Sequence, residues 1–323
     1  MMKRLSFCIV TCMLSMVLHA QDKVVFEFSD GIENGMLKTK MEQQVSKLLT
    51  AINQAESNQT DINYRDIDID NLASQSIGML WNNVRFRVMD SDIVEHCLRL
   101  STNGTVRGYQ VRNIAVKMKP LDASYMGDLN QEVCIDLDAS GKITDFNITM
   151  GLQQYTRLMK EGVELDDLDR RMQIIHYCEQ FQNAYCQKDI NFMENVFSDD
   201  ALIITGKVVT RQATDIRLTT QDVKYTVQTK AEYLKNLRRA FAANEYVNVK
   251  FKDYKIKRHG AKPNYYGVTL YQEWNSTRYS DKGIVFLVWD FTDDAHPKIH
   301  VRTWQPSNIS EEDVFTLNKF KLP

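Results

Sequence analysis

The chain contains little of the material that builds flexible linkers, metal sites or nucleic-acid surfaces. Of its 323 residues, only 13 are glycine and 5 are proline, which argues against long disordered linkers. No cysteines have the CxxC spacing, and no cysteine and histidine residues have a metal-ligand spacing. No run of lysine and arginine forms a nucleic-acid footprint. We therefore expect no metal, no cofactor and no nucleic-acid partner.

Long apolar runs are also scarce, and the N-terminal one, Leu5–Leu18, is too short to span a bilayer. Lys3 and Arg4 precede it and Ala20 follows it, the order of a secretory signal peptide. We predict a signal peptide over residues 1–20, cleavage after Ala20, and a periplasmic or secreted protein without a transmembrane segment. Modification as a lipoprotein would require Cys12, but the three residues before it are a poor match to that signal.

Four cysteines remain outside the predicted signal peptide: Cys97, Cys134, Cys178 and Cys186. An exported protein can form disulfides. Cys178 and Cys186 are separated by about 12 Å along one predicted helix, too far for a bridge. Cys97 and Cys134 lie on two predicted strands and a bridge between them is possible. Buried free thiols are the favoured alternative.

The chain does contain a pattern that occurs twice, in which helical sequence gives way to alternating strands. The first pass runs over residues 39–150 and the second over residues 166–306. With 43% hydrophobic and 25% charged residues, the composition is that of a folded globular protein. We predict the α+β class with two tandem domains, residues 21–160 and 161–323, each with N-terminal helices packed on a bent antiparallel sheet. The first copy is the reduced one.

Helix starts are predicted from capping residues. Thr39 with Glu42 and Thr229 with Glu232 are capping boxes. The second helix of the first copy is predicted to start at Asp68 or Asp70, with Leu72, Ile77, Leu80, Trp81 and Val84 facing inward. In the second copy, Asp189 is predicted to cap a short helix.

The second copy resembles the nuclear transport factor 2-like superfamily, a cystatin-like α+β cone. The resemblance rests on a long helix over 172–186, the segment 188–193, and an acidic turn at 198–200 that leads into a strand. It implies a third helix, a strongly bent sheet and a ligand pocket between helices and sheet. The overall arrangement is similar to exported tandem proteins of Bacteroidota-type bacteria. Many functions share this fold, so the resemblance implies little about chemistry.

Side chains on a strand alternate between two faces, so strand pairing decides which residues can reach a pocket. We predict that the last hairpin pairs Asp290 with His300 and Val288 with Arg302. The apolar set then faces the helices, and a mixed set lies on the outer face of the sheet: Tyr271, Glu273, Asp290, His300, Arg302 and Trp304. A slip of one residue would exchange the faces.

These assignments favour a binding or scaffolding protein over an enzyme, because the helix-facing set contains few titratable groups. The mixed set is the candidate surface for a protein partner or self-association. A small hydrophobic or carbohydrate ligand would be bound by the pocket candidates, which are Phe181, Tyr185, Trp274 and Trp289. The alternative is an isomerase, dehydratase or hydrolase that uses Asp290, His300 and Arg302. A cross-strand charge pair on the sheet surface is the favoured explanation of these three residues.

Overall fold

The computed structural model describes residues 22–102, 105–160, 168–212 and 219–322. The predicted signal peptide lies outside these ranges, as do Asp166 and Asp167 at the expected start of the second copy. The α+β class is confirmed. The chain divides into an N-terminal unit, residues 1–123 with 128–152, and a C-terminal unit, residues 124–127 with 153–323. That the two units are copies of one domain stays a prediction.

The N-terminal unit begins with a strand, then has two helices and a sheet. Its helices are α1 (Gly35–Asn58) and α2 (Asn71–Asn83). Its strands are β1 (Val25–Asp30), β2 (Arg85–Val88), β3 (Asp92–His96), β4 (Leu98–Thr102), β5 (Thr105–Lys119), β6 (Asn130–Asp138) and β7 (Ile143–Thr149). The main sheet has the order β2-β5-β6-β7, with β4 also on β5, while β1 pairs in parallel with β3.

The start of α1 differs from the prediction. Asn34 caps the helix, and its side chain accepts hydrogen bonds from the backbone N–H groups of Met36 and Leu37. Thr39 lies inside the helix and donates to the carbonyl of Gly35 at 2.9 Å. The capping box predicted at Thr39 is therefore wrong, because a stronger cap five residues earlier already satisfies the first N–H groups.

The start of α2 at Asp70 is confirmed, since the Asp70 carboxylate accepts from the N–H of Leu72. Of the residues predicted to face inward, Ile77, Leu80, Trp81 and Val84 are buried. Leu72 is 75% exposed. It lies in the first turn of α2, where the chain has only just joined the helix.

The C-terminal unit has the element order that the resemblance implies, a long helix, a short helix, a third helix between strands, and a large sheet. Its helices are α3 (Leu152–Lys160, from Gln153 on), α4 (Leu168–Cys186), α5 (Ile190–Val196) and α6 (Lys230–Ala243). Its strands are β8 (Phe197–Gln212), β9 (Thr219–Gln228), β10 (Val247–Arg258), β11 (Tyr265–Ser276), β12 (Ser280–Asp290) and β13 (Lys298–Pro306). The sheet order is β10-β11-β12-β13-β8-β9, antiparallel except between β13 and β8.

One side of this sheet packs against α4. The ring of Phe181 lies 6.0 Å from Phe251 and 6.4 Å from Trp289, and all three side chains are buried. We call this side the helix face. The opposite side, the outer face, is partly covered by the C-terminal segment, where Leu317 packs with Phe286.

The last hairpin contains a bulge that the predicted pairing missed. Trp289 pairs with Ile299, but Val288 pairs with Val301 and Leu287 with Arg302, so His300 is an extra residue on β13. The predicted pairings of Asp290 with His300 and of Val288 with Arg302 are both wrong. Asp290 pairs with Lys298, and the bulge adds one residue and reverses the faces of the β13 residues after it. Arg302 and Trp304 therefore lie on the helix face.

The cysteines Cys97, Cys134, Cys178 and Cys186 are buried free thiols. Among the described residues, no helix is both long enough and apolar enough to cross a membrane.

Candidate ligand-binding cavity

The C-terminal unit contains a cavity of about 390 Å³ between α6 and the helix face of its sheet. This volume lies in the range of small-molecule sites. The α6 wall consists of Tyr233, Asn236, Leu237 and Ala240. The sheet wall includes Gln272, Trp274, Asp281, Arg302 and Trp304.

The α6 wall follows from local sequence. Its four residues have the spacing that places side chains on one face of a helix. The capping box predicted at Thr229 is present, with the hydroxyl accepting from the N–H of Glu232 and the Glu232 carboxylate accepting from the N–H of Thr229. This cap fixes the first turn and hence the direction in which the wall side chains point.

Arg302 lies on the sheet wall and is only 4% exposed. Its Nε donates to the hydroxyl of Tyr185 at 3.2 Å and its Nη2 donates to the amide oxygen of Gln272 at 3.3 Å. The guanidinium carbon also lies 5.4 Å from the centre of the Tyr233 ring, a cation–π distance. Arginine keeps its charge at any pH a protein tolerates, so the cavity contains a fixed positive charge.

Two tyrosines connect the helices to this arginine. The hydroxyls of Tyr185 on α4 and Tyr233 on α6 are 2.6 Å apart and buried. Burial raises the pKa of Tyr185 well above its usual value, more than the charge of Arg302 lowers it. The Tyr185 hydroxyl therefore remains neutral and accepts from Arg302 Nε, while the Tyr233 hydroxyl is hydrogen-bonded to Tyr185.

Asp281 is the acidic residue among the described residues that line the cavity. Its Oδ2 accepts from the Tyr279 hydroxyl at 2.7 Å, while its buried Oδ1 has no hydrogen-bond partner among the described residues. Burial raises the pKa of this carboxyl, although the Tyr279 hydrogen bond and the charge of Arg302 oppose the shift. A carboxyl in this environment favours its neutral form.

Trp304 covers part of the sheet between two glycines. A Cβ on Gly206 would lie 2.6 Å from its Cε3, and a Cβ on Gly283 would lie 2.6 Å from its Nε1. Any larger residue at either position would collide with the indole, so the two glycines let the ring lie close to the backbone of the neighbouring strands.

Asp290 and His300 form a separate cluster on the outer face. The His300 ring nitrogens lie 3.2 Å from Asp290 Oδ2 and 3.4 Å from Asp200 Oδ1. Burial alone would raise the pKa of Asp290, but hydrogen bonds from Thr292 and Tyr265 outweigh it and lower that pKa. The structure thus does not bring Asp290, His300 and Arg302 together, since only Arg302 lines the cavity.

The predicted pocket candidates divide into two groups. Trp274 lines the cavity, and Tyr185 lies directly behind it, hydrogen-bonded to Arg302 and 5.5 Å from the Trp274 ring. Phe181 and Trp289 are fully buried in the core and do not line the cavity.

The predicted interface set is also divided. Tyr271, Glu273, Asp290 and His300 are on the outer face, where Glu273 pairs with Lys252 at 3.1 Å and Lys282 at 3.3 Å. Arg302 and Trp304 are not on that surface, because the bulge at His300 turns them toward the helix face.

Several lining residues escaped sequence analysis. Asp281 and Gln272 lie on the helix face because Trp274 pairs with Asp281, and Gln272 with Gly283, across a tight hairpin. A hairpin register is set by its turn, and β12 begins at Ser280, directly after that turn. The α6 wall had a usable signal, a stripe of Tyr233, Asn236, Leu237 and Ala240 that mixes apolar and amide side chains at helical spacing.

No protein-family model and no curated protein matches this chain. It is similar to the solved structure of Bd1075 from Bdellovibrio bacteriovorus, at 13% identity and a TM-score of 0.32, over 51% of this chain and 47% of that chain. The chain thus spans about half the length of Bd1075.

The chain is also similar to an NTF2-like protein from Cytophaga hutchinsonii, at 15% identity and a TM-score of 0.29, over 41% of this chain and 95% of that chain. A third similar structure is ActVI-ORFA from Streptomyces coelicolor, at 10% identity and a TM-score of 0.30, over 43% of this chain and 97% of that chain. NTF2-like proteins are thus among the similar structures, as the sequence resemblance predicted. Similarities this distant carry no argument about activity.

Proposed function

We propose that this chain is an exported binding protein whose C-terminal unit holds a small organic molecule. The observation that carries the proposal is the cavity of about 390 Å³, whose lining combines four aromatic side chains with eight other polar or charged ones and whose volume is that of a small-molecule site. Two apolar rings, Trp274 and Trp304, offer flat surface, while Arg302 and Gln272 offer hydrogen bonds.

The proposal is tested by filling the cavity. Ala240 lines it from α6, whereas Ala242 is exposed on the same helix and does not. We expect an aromatic fluorescent anion such as 1,8-anilinonaphthalene sulfonate to bind the wild type and Ala242→Trp equally. Ala240→Trp is expected to weaken binding at least tenfold, because the indole occupies the ligand volume. Equal binding by both variants would place the probe elsewhere and defeat the proposal.

Export is proposed from the N-terminal sequence, with Lys3 and Arg4 ahead of the apolar run and Ala20 at its end. It predicts that the protein recovered from the medium or from an osmotic-shock fraction begins at Gln21. Intact-mass measurement decides this, and a mature protein that retains residues 1–20 would contradict it.

A protein contact on the outer face remains part of the proposal, supported by the partly exposed Tyr271 and Glu273. The test is a change of both residues together, Tyr271→Ser with Glu273→Ser, followed by sedimentation velocity. If the association state is unchanged in the double variant, self-association through this surface is excluded.

Catalysis is the second candidate, and one observation favours it. Asp281 is a carboxyl with a raised pKa that lines the cavity, which is the setting of a general acid or base. An isomerase or dehydratase would exchange acidic C–H protons of a bound ketone. Exchange is measured as loss of the α-proton signal of 2-tetralone in D2O. Exchange that occurs in the wild type and not in Asp281→Asn would support catalysis. If the wild type shows no exchange, only the binding function remains.

A further inference from the structure

Arg302 is a buried cation that forms no salt bridge in the described part of the chain, although the Asp281 carboxyl in the same cavity interacts with it electrostatically. No carboxylate oxygen there lies within 4.0 Å of its guanidinium, and its contacts are a phenol, an amide and an aromatic face. The contrast with Arg87 in the N-terminal unit is clear, because Arg87 pairs with Asp22 at 2.9 Å and Glu56 at 3.4 Å.

Burial of such a charge opposes folding. Taking a guanidinium out of water is costly unless an opposite charge repays it, and arginine cannot escape the cost by losing its proton. An apolar side chain of similar size would pack at this position of β13 without that cost. The presence of arginine at this position is therefore better explained by a ligand that binds it than by a role in folding.

Three donors at the cavity wall remain without a partner in the described part of the chain, and one of them is the indole Nε1 of Trp304. Arg302 uses Nε and Nη2, and no described residue accepts from Nη1. Gln272 uses its amide oxygen, and no described residue accepts from its Nε2. Because Nη2 of Arg302 is bonded to Gln272, the free donors of these two residues lie close to each other on the same wall. Adjacent N–H donors, one of them charged, match the two oxygens of a carboxylate.

The rest of the wall limits the ligand further. Trp274, Trp304 and Leu237 present flat or apolar surface to the cavity. One arginine provides one positive charge, which suits a monoanion better than a phosphate monoester. An amine would be repelled by Arg302.

We infer that the ligand is a monocarboxylate with a flat apolar body, whose carboxylate accepts from Arg302 Nη1 and Gln272 Nε2. The body packs against Trp274, Trp304 and Leu237. This inference rests on the proposed binding function and names the ligand class for the same cavity.

The test is calorimetric titration of the full chain with three acids and their primary amides: 2-naphthoate, 4-biphenylcarboxylate and cinnamate. Acid and amide have nearly the same shape, so the comparison isolates charge. At least one acid is expected to bind ten or more times more tightly than its amide.

Variants assign that preference to Arg302. Arg302→Gln is expected to bind acid and amide equally, with the amide affinity kept near that of the wild type. Arg302→Lys retains charge and should keep a reduced preference for the acid. The matched control is Arg258→Gln, an exposed arginine on β10, which should behave as wild type. The acid-to-amide ratio of the wild type stands as evidence even if Arg302→Gln does not fold.

The outcomes separate the two proposals. Amides that bind as tightly as acids, or more tightly, overturn the ligand class and leave a cavity for neutral molecules. An acid preference that persists in Arg302→Gln overturns the role of Arg302. Absence of binding by all six compounds overturns this inference, whereas the proposed function fails only if the fluorescent probe also does not bind in the cavity.

Discussion

Asp281 is a carboxyl group that the fold keeps away from water. Its raised pKa comes first from burial, so the folded chain holds the proton more tightly than the unfolded chain does. Proton binding is then linked to stability. Below the ordinary pKa of 3.8, Asp281 is protonated in both the folded and the unfolded chain, so it causes no loss of stability. As pH rises toward the folded-state pKa, only the unfolded chain releases the proton and stability falls.

Asp281→Asn should remove this loss, because asparagine is neutral and its oxygen can still accept from Tyr279. We expect the variant to unfold at higher urea concentration than the wild type at about pH 8, with the gain shrinking toward about pH 4.

Asp199→Asn is the control with the opposite sign. A hydrogen bond from Lys230 lowers the pKa of Asp199, so its contribution is present at neutral pH and lost as pH falls below the ordinary range. A gain from Asp281→Asn that is the same at every pH would contradict the linkage.

Gly283 tests the space beneath Trp304. A Cβ there would lie 2.4 Å from the carbonyl oxygen of Gln305 and 2.6 Å from the indole nitrogen. We expect Gly283→Ala to cost about 1–3 kcal/mol of unfolding free energy through overpacking and to change tryptophan emission as Trp304 shifts. Gly260→Ala is the control, since a Cβ at Gly260 meets nothing within 4 Å. Equal stability of the two variants would show that β12 and β13 have room to separate.

At the scale of the element, α6 carries one cavity wall and depends on its cap. Thr229→Ala should cost about 1 kcal/mol and also weaken probe binding, because the first turn orients Tyr233. Asp189→Ala removes the comparable cap of α5, where Asp189 accepts from the N–H of Phe192 at 3.0 Å. α5 does not line the cavity, so this variant should lose stability without losing affinity. Chemical denaturation and probe titration measure the two effects separately.

Elements were predictable where their causes are local. The caps at Asp70, Asp189 and Thr229 lie within three residues of the N–H groups they satisfy, so the sequence contained the whole cause. Thr39 shows the limit of this method, because two competing caps lay close together and only their geometry ranks them. The first strand, β1, was missed because it pairs with β3, about 65 residues later.

The cavity was less predictable, since it depends on strand register. Alternation of apolar and polar residues gives the same pattern with or without a bulge, so nothing local marked His300 as extra. Trp274 was correctly placed against the helices because it lies on β11, before the bulge in β13. Arg302 was misplaced because it follows it.

At the scale of the whole molecule, every lining residue of the cavity belongs to the C-terminal unit. Phe86 is fully buried in the N-terminal unit, 5.6 Å from Phe146. Phe86→Ala should cost about 3–5 kcal/mol of stability yet leave probe affinity unchanged at temperatures where the chain is folded.

Phe181→Ala is the matched change in the C-terminal unit. It should lower both stability and affinity, because Phe181 packs 5.0 Å from Tyr185, the residue that holds Arg302. Differential scanning calorimetry and probe titration on both variants check the contrast. An equal loss of affinity from Phe86→Ala would show that the site depends on both units.

The bulge at His300 has an evolutionary consequence. Deleting one codon there would turn Val301 toward the helices and Arg302 toward the C-terminal segment, so the cavity would exchange its charge for an aliphatic side chain in a single event. A point substitution changes one side chain, whereas this deletion would reverse the faces of the six β13 residues that follow, Val301 to Pro306. Relatives aligned with a gap at this position are therefore expected to differ in ligand even where their sequences on either side are nearly the same.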